Sequence, residues 1–173
     1  MWNESANFTV QGCMNGSRLN GWFSMQVLIY TGAALFMVAL LVSAVIVAEL
    51  RLLHSLQALI YLAVIVLARR NSAWGFGAGF FIGVVWNSFS LFVTHLMQVG
   101  AVAFWSSLRT GDVKQIVPMM VALGGLGHFI LIIASALALL RHDVEIKKWW
   151  KFAGGGAAAI AYFVLIIAFA RPR

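Results

Sequence analysis

The sequence predicts an all-α fold, a polytopic bundle of about five transmembrane helices with short loops. Three observations lead there. Of 173 residues, 62% are hydrophobic and only 10% charged, and the mean hydropathy is +0.93; soluble domains carry roughly 45–50% apolar and about 25% charged residues. The apolar residues are gathered into runs of roughly 20 or more, the length that crosses about 30 Å of hydrocarbon. The charged residues fall mainly at the ends of those runs. Because lipid offers the backbone no hydrogen-bond partners, such runs must be helical. The expected organisation is a polar N-terminal tail over 1–21 and one transmembrane helical domain over 22–173.

The tail is rich in Asn, Ser and Gly and lacks the basic and apolar regions of a signal peptide. Its triplets at Asn3, Asn7 and Asn15 fit the N-glycosylation pattern, which matters only if the tail faces a secretory lumen. A first span, 22–48, opens on Trp22 and Phe23, aromatic residues suited to the headgroup level. Glu49, Arg51 and His54 then interrupt the apolar run, so a tight turn leads into a second span, 52–68, which Arg69 and Arg70 close. The third segment, 73–108, exceeds one perpendicular crossing and is too short for two. It reads as a long tilted helix, or as a helix followed by an interfacial piece ending near Trp105. A fourth span, 116–140, carries Pro118 in its first turn, where proline is tolerated. A fifth, 152–170, ends at Arg171 and Arg173.

Lys and Arg number 12 against 5 Asp and Glu, a formal charge of +7. At span ends this excess matches lipid phosphates and the cytosolic membrane side, so the bilayer, and not nucleic acid, is the expected partner. An N-in arrangement puts Arg18, Arg69, Arg70, Arg141, Lys147, Lys148 and Lys151 inside, and Arg51, Arg109, Lys114, Arg171 and Arg173 outside, seven against five. The expected location is a plasma or inner membrane with a cytoplasmic N-terminus. Lys147-Lys148-Trp149-Trp150-Lys151 has the composition of an anionic-lipid anchor with an aromatic belt. Cys13 is the only cysteine, which excludes an intrachain disulfide or a Cys-based redox pair.

The third segment holds the most informative pattern. Gly75, Gly79 and Gly83 recur every fourth residue, and the row continues to Asn87, with Ser90, Thr94, His95 and Gln98 within the same arc of about 160° at about 100° per residue. Glycine rows let helices approach closely, which also suits Gly124 in the fourth span and Gly154 in the fifth. Polar side chains at membrane depth need partners that lipid does not supply. Two readings therefore coexist: helix packing, and a polar intramembrane site built from Asn87, Ser90, Thr94, His95, Gln98 and His128.

Alternating the spans puts His54, His95 and His128 in one half of the bundle, with His142 in the other. Two such imidazoles on different helices are the requirement for haem b, and Gly124, Gly125 and Gly127 around His128 would leave room for a macrocycle. Met97, Met119 and Met120 near His95 would suit copper. Methionine is more often gap-filling core, however, so the metal remains unassigned. No paired carboxylate at membrane depth is present, which disfavours ion-driven symport and intramembrane aspartyl chemistry, and no H-E-x-x-H or G-x-S-x-G motif occurs, so an enzyme is not the leading expectation.

The leading expectation is a non-enzymatic membrane protein forming a polar site or path, as a channel, carrier or binding subunit. Alternatives are a haem- or pigment-binding electron-transfer subunit using His54, His95 and His128, and an accessory subunit with a packing role only. The small-residue surface of Gly154 to Ala161, with Ala134 and Ala138 on the fourth span, indicates close helix contacts, either inside the bundle or between the subunits of a homo-oligomer or with partner membrane subunits.

Overall fold

The computed structural model describes residues 5–111, 115–141 and 146–169, with side chains over 25–111, 115–141 and 147–169. The side chains of Asn3, Asn7, Cys13, Asn15, Arg18, Trp22 and Phe23, and residues Lys114, His142, Arg171 and Arg173, fall outside those described. Six α-helices follow in order: α1 Ser5–Ile46, α2 Arg51–Arg69, α3 Ala73–Ser88, α4 Leu96–Thr110, α5 Ile116–Arg141 and α6 Ile146–Phe169. No strand occurs among the described residues. Five helical stretches are long and apolar enough to cross a membrane, the pattern of an integral membrane protein: Met25–Ile46, Ala48–Arg69, Ala73–Val93, Ile116–Arg141 and Lys147–Phe169.

The backbone explains the junctions. Between α1 and α2, Val47 is extended (φ −110°, ψ 99°) and Ala48–Leu50 form a 3₁₀ turn. No glycine or proline is needed there, because Arg51 Nε donates to the Ala44 carbonyl at 3.3 Å and satisfies one acceptor that the end of α1 leaves over. After α2 the chain reverses at Asn71, which takes the left-handed conformation (φ 51°) that asparagine tolerates. Gln26 Nε2 donates to Asn71 Oδ1 at 2.6 Å and ties this turn to α1.

Helices α1, α2, α3 and α5 form a ring around the core, α6 lies outside against α3, and α4 lies outside against α5. Glycine sets these distances. A Cβ on Gly32 would stand 2.7 Å from the Gly127 carbonyl oxygen, and one on Gly127 would stand 2.7 Å from that of Gly32, so α1 and α5 meet backbone to backbone. Likewise Gly77 faces the Phe152 backbone and Gly155 the Trp74 backbone, joining α3 to α6. The row in α3 is spent on two neighbours: Gly75 against Leu67 and Ala68 of α2, Gly79 against Val64 of α2 and Leu131 and Ser135 of α5, and Gly83 against Ile132 of α5. Gly124 faces Phe36, and Gly154 faces Trp74. Ile29, Val64, Phe76, Ile82 and Leu131 are fully enclosed within the ring.

One segment differs from expectation, and the third takes the second of its two expected forms, a helix followed by a further piece. The polar stretch read as a tail is helical from Ser5, so α1 runs for 42 residues, about 63 Å, and only its second half is apolar. The third segment is no single helix: α3 passes into a π-helical turn, Phe89–Val93, and breaks at His95, which adopts φ 54°. The piece beyond it, α4, has 15 residues, about 22 Å, too short to cross. Gly100 seats it against Pro118 and Ala122 of α5, and Arg109 stacks over Trp105 at 5.0 Å.

The α1–α5 contact leaves no space for a methyl group. Gly127→Ala is expected to cost about 1–3 kcal/mol in a detergent-denaturation titration, whereas Leu126→Ala, on the outward face of α5, stays within about 0.5 kcal/mol.

Candidate functional site

At the centre of the ring lies a buried Tyr–His pair. The Tyr61 hydroxyl of α2 and Nε2 of His128 on α5 are 2.6 Å apart, and both side chains are almost completely enclosed. With Nε2 unprotonated, the hydroxyl donates to it and Nδ1 carries the proton; in the other tautomer Nε2–H donates to the phenol oxygen. Either way Nδ1 has no partner among the described residues. Phe36 of α1 stacks on the imidazole with centroids 3.8 Å apart and interplanar angle 22°, and Trp86 of α3 meets it edge-on at 5.0 Å. Gly124 makes the Phe36 position possible, since any side chain there would strike its ring.

Further buried polar atoms lack partners among the described residues: both amide atoms of Asn87 and the Ser135 hydroxyl. Ser135 is two turns along α5 from His128, and Asn87 is one turn beyond Gly83, on the α3 face that meets α5. Buried polar groups are ordinarily hydrogen-bonded, and an unfilled one costs about 1–3 kcal/mol. Polar groups at this depth depend on partners inside the bundle, because lipid supplies none.

Beside this centre is a cavity of about 240 Å³, walled by Ser43, His54 and Gln57, with Leu96, Val117 and Met120 opposite. Phe36 and Trp86 form its floor. The cavity lies where α3 passes into the π-helical turn, between Trp86 of α3 and Leu96 of α4. One layer of aromatic side chains thus separates it from the Tyr61–His128 pair.

The six residues expected to share a polar site divide into two groups. Asn87, Ser90 and His128 are buried in the interior. Thr94, His95 and Gln98 are exposed at the break, where Gln98 Nε2 donates to the Leu91 carbonyl at 2.9 Å and Thr94 Oγ1 lies 3.5 Å from the Phe89 carbonyl. The Gln98 side chain thus serves a carbonyl at the break, while the Phe89 carbonyl also accepts from the Thr94 backbone N–H at 3.1 Å. His54, His95 and His128 have different surroundings: the cavity, an exposed position at the break and the sealed interior. The glycines expected to make room for a macrocycle are occupied by protein, Gly124 by Phe36, Gly127 by α1 and Gly125 by the Met97 methyl group. Among the described residues no three His, Cys, Asp or Glu gather as metal ligands.

Tyr61, Phe36, Trp86, Gln57 and Ser43 were not singled out from sequence. A signal for two of them exists: His54, Gln57 and Tyr61 are spaced i, i+3, i+7 and so share one face of α2.

Tyr61→Phe strands the imidazole nitrogen and is expected to lower stability by about 1–3 kcal/mol. His128→Leu in the same background should restore part of that loss, a coupling that a double-mutant cycle measures. No protein family, curated protein or solved structure matches this chain.

Proposed function

We propose that this is a non-enzymatic membrane protein whose bundle encloses a gated polar path, working as a channel, carrier or binding subunit of a membrane assembly. The observation that carries the reading is the Tyr61–His128 pair at the core, one aromatic layer away from a cavity lined by Ser43, His54 and Gln57. A packing role alone would be served better by an apolar core, since each unfilled polar group destabilises the bundle. The path is closed in this state: Phe36 and Trp86 lie between cavity and pair, and rotation of either ring would join them. A proton suits the interior best, because a hydrogen-bonded Tyr–His pair can relay one without space around it. Ser135, two turns along α5 from His128, extends the polar surface beyond the pair. Thr94, His95 and Gln98 belong to the hinge through which α3 and α4 would move. A plasma or inner membrane, a cytoplasmic N-terminus and a homo-oligomer or partner subunits complete the proposal.

The test is proton flux in vesicles holding a pH-sensitive dye, driven by a potassium diffusion potential. Wild-type protein is expected to acidify the lumen above the rate of empty vesicles, His128→Leu to lose at least about tenfold, as is typical of a lost proton-transfer group, and Trp86→Ala to conduct faster. Equal flux through wild type and His128→Leu would sink the reading.

A further inference from the structure

At the opposite end of the bundle from that cavity, a second concavity of about 320 Å³ lies between α2, α3 and α6. Its walls are apolar: Leu59, Ala63 and Leu67 from α2, Trp74 from α3, and Ala158 and Tyr162 from α6. Small residues on α6 hollow it out, and Tyr162 closes its deep end by donating from its hydroxyl to the Leu56 carbonyl at 3.0 Å. From Leu59 to Leu67 the groove runs about 12 Å along α2, close to the roughly 15 Å hydrocarbon depth of one leaflet.

The shallow end of the groove is where the positive charge lies. Arg69 and Arg70 end α2 two to three residues beyond Leu67, and both are exposed. Gly77 against Phe152 and Gly155 against Trp74 hold the start of α6 at that same end, bringing exposed Lys147 and Lys151 to it. Trp149 and Trp150 stand exposed beside them at 48% and 77%, as aromatic residues do at the headgroup level. One feature is therefore an apolar slot of leaflet depth, and the other a basic rim at its mouth.

We propose that this groove is a binding site for one anionic glycerophospholipid, with an acyl chain in the slot and its phosphate held by Arg70 and Lys151. Charge complementarity selects this occupant over an apolar helix of a second copy, which would leave the four basic residues without a counterpart. A zwitterionic lipid satisfies the slot but not the rim.

Native mass spectrometry of the purified chain in mild detergent, titrated with phosphatidylglycerol or phosphatidylcholine, tests the site. Phosphatidylglycerol is expected to bind as a single tight adduct and phosphatidylcholine much more weakly. Arg70→Gln with Lys151→Gln should weaken phosphatidylglycerol roughly thirtyfold, the effect of two basic residues near an anionic headgroup. Ala158→Leu, which fills the slot from an exposed helix position and leaves every charge in place, should weaken it as well. Equal binding of the two lipids, or an adduct indifferent to Ala158→Leu, would overturn the proposal, the second outcome meaning headgroup adsorption only. A lipid-free dimer of wild type that Ala158→Leu turns into monomer would overturn it too, assigning the slot to a second copy. Proton flux does not enter these readouts, so the two proposals stand or fall separately.

Discussion

The backbone contact between Gly32 and Gly127 is the constraint on which the rest of the bundle depends. In a bilayer, lipid tails are as apolar as leucine, so helices gain little by burying apolar faces against each other and associate instead through close packing and hydrogen bonds. Two glycines facing each other bring α1 near enough to α5 for Phe36 to lie flat on the His128 ring. Moving α1 outward by the radius of a methyl group would open the interior beside the imidazole. The Tyr61 hydrogen bond, the position of Trp86 and the floor of the cavity all presuppose that separation.

The break in α3 acts in the opposite sense. Where the glycine row holds α3 against α2 and α5, the ring is tight; where α3 turns away after Ser88, a space of about 240 Å³ appears. The Thr94 backbone N–H closes the π-helical turn on the Phe89 carbonyl, and the Gln98 side chain supplies a donor to the Leu91 carbonyl. His95 is held in a conformation that costs roughly 1–2 kcal/mol for an L-residue. Strained conformations of this kind cluster at functional sites and switch regions, and the hydrogen bonds here are local.

How much of this was legible in the sequence follows from what each feature rests on. The five spans were readable because hydrophobic runs bounded by Arg69-Arg70 or Arg141 leave little choice in a bilayer. The break at His95 was not, since Phe89 to Gln98 contains neither glycine nor proline and its helical spacing is unbroken. The same unbroken spacing put Thr94, His95 and Gln98 on one face with Asn87. His128 stood out as a titratable residue at depth, but its partner did not: tyrosine is ordinary in an apolar helix, and only the α2–α5 packing brings Tyr61 within 2.6 Å. Glycine positions were visible as a row, while which neighbour each one admits depends on the tertiary arrangement.

The pairing of glycine with backbone divides the chain by its tolerance of sequence drift. Lipid-facing positions such as Val45, Phe92, Leu140 and Phe169 can exchange among large apolar residues at almost no cost, since the solvent they meet does not distinguish them. Gly32, Gly77, Gly127 and Gly155 cannot accept even alanine without displacing a neighbouring main chain. Divergence is thereby channelled onto the outer surface, and two chains of this architecture could share little overall identity while keeping the same sparse skeleton of glycines around one histidine.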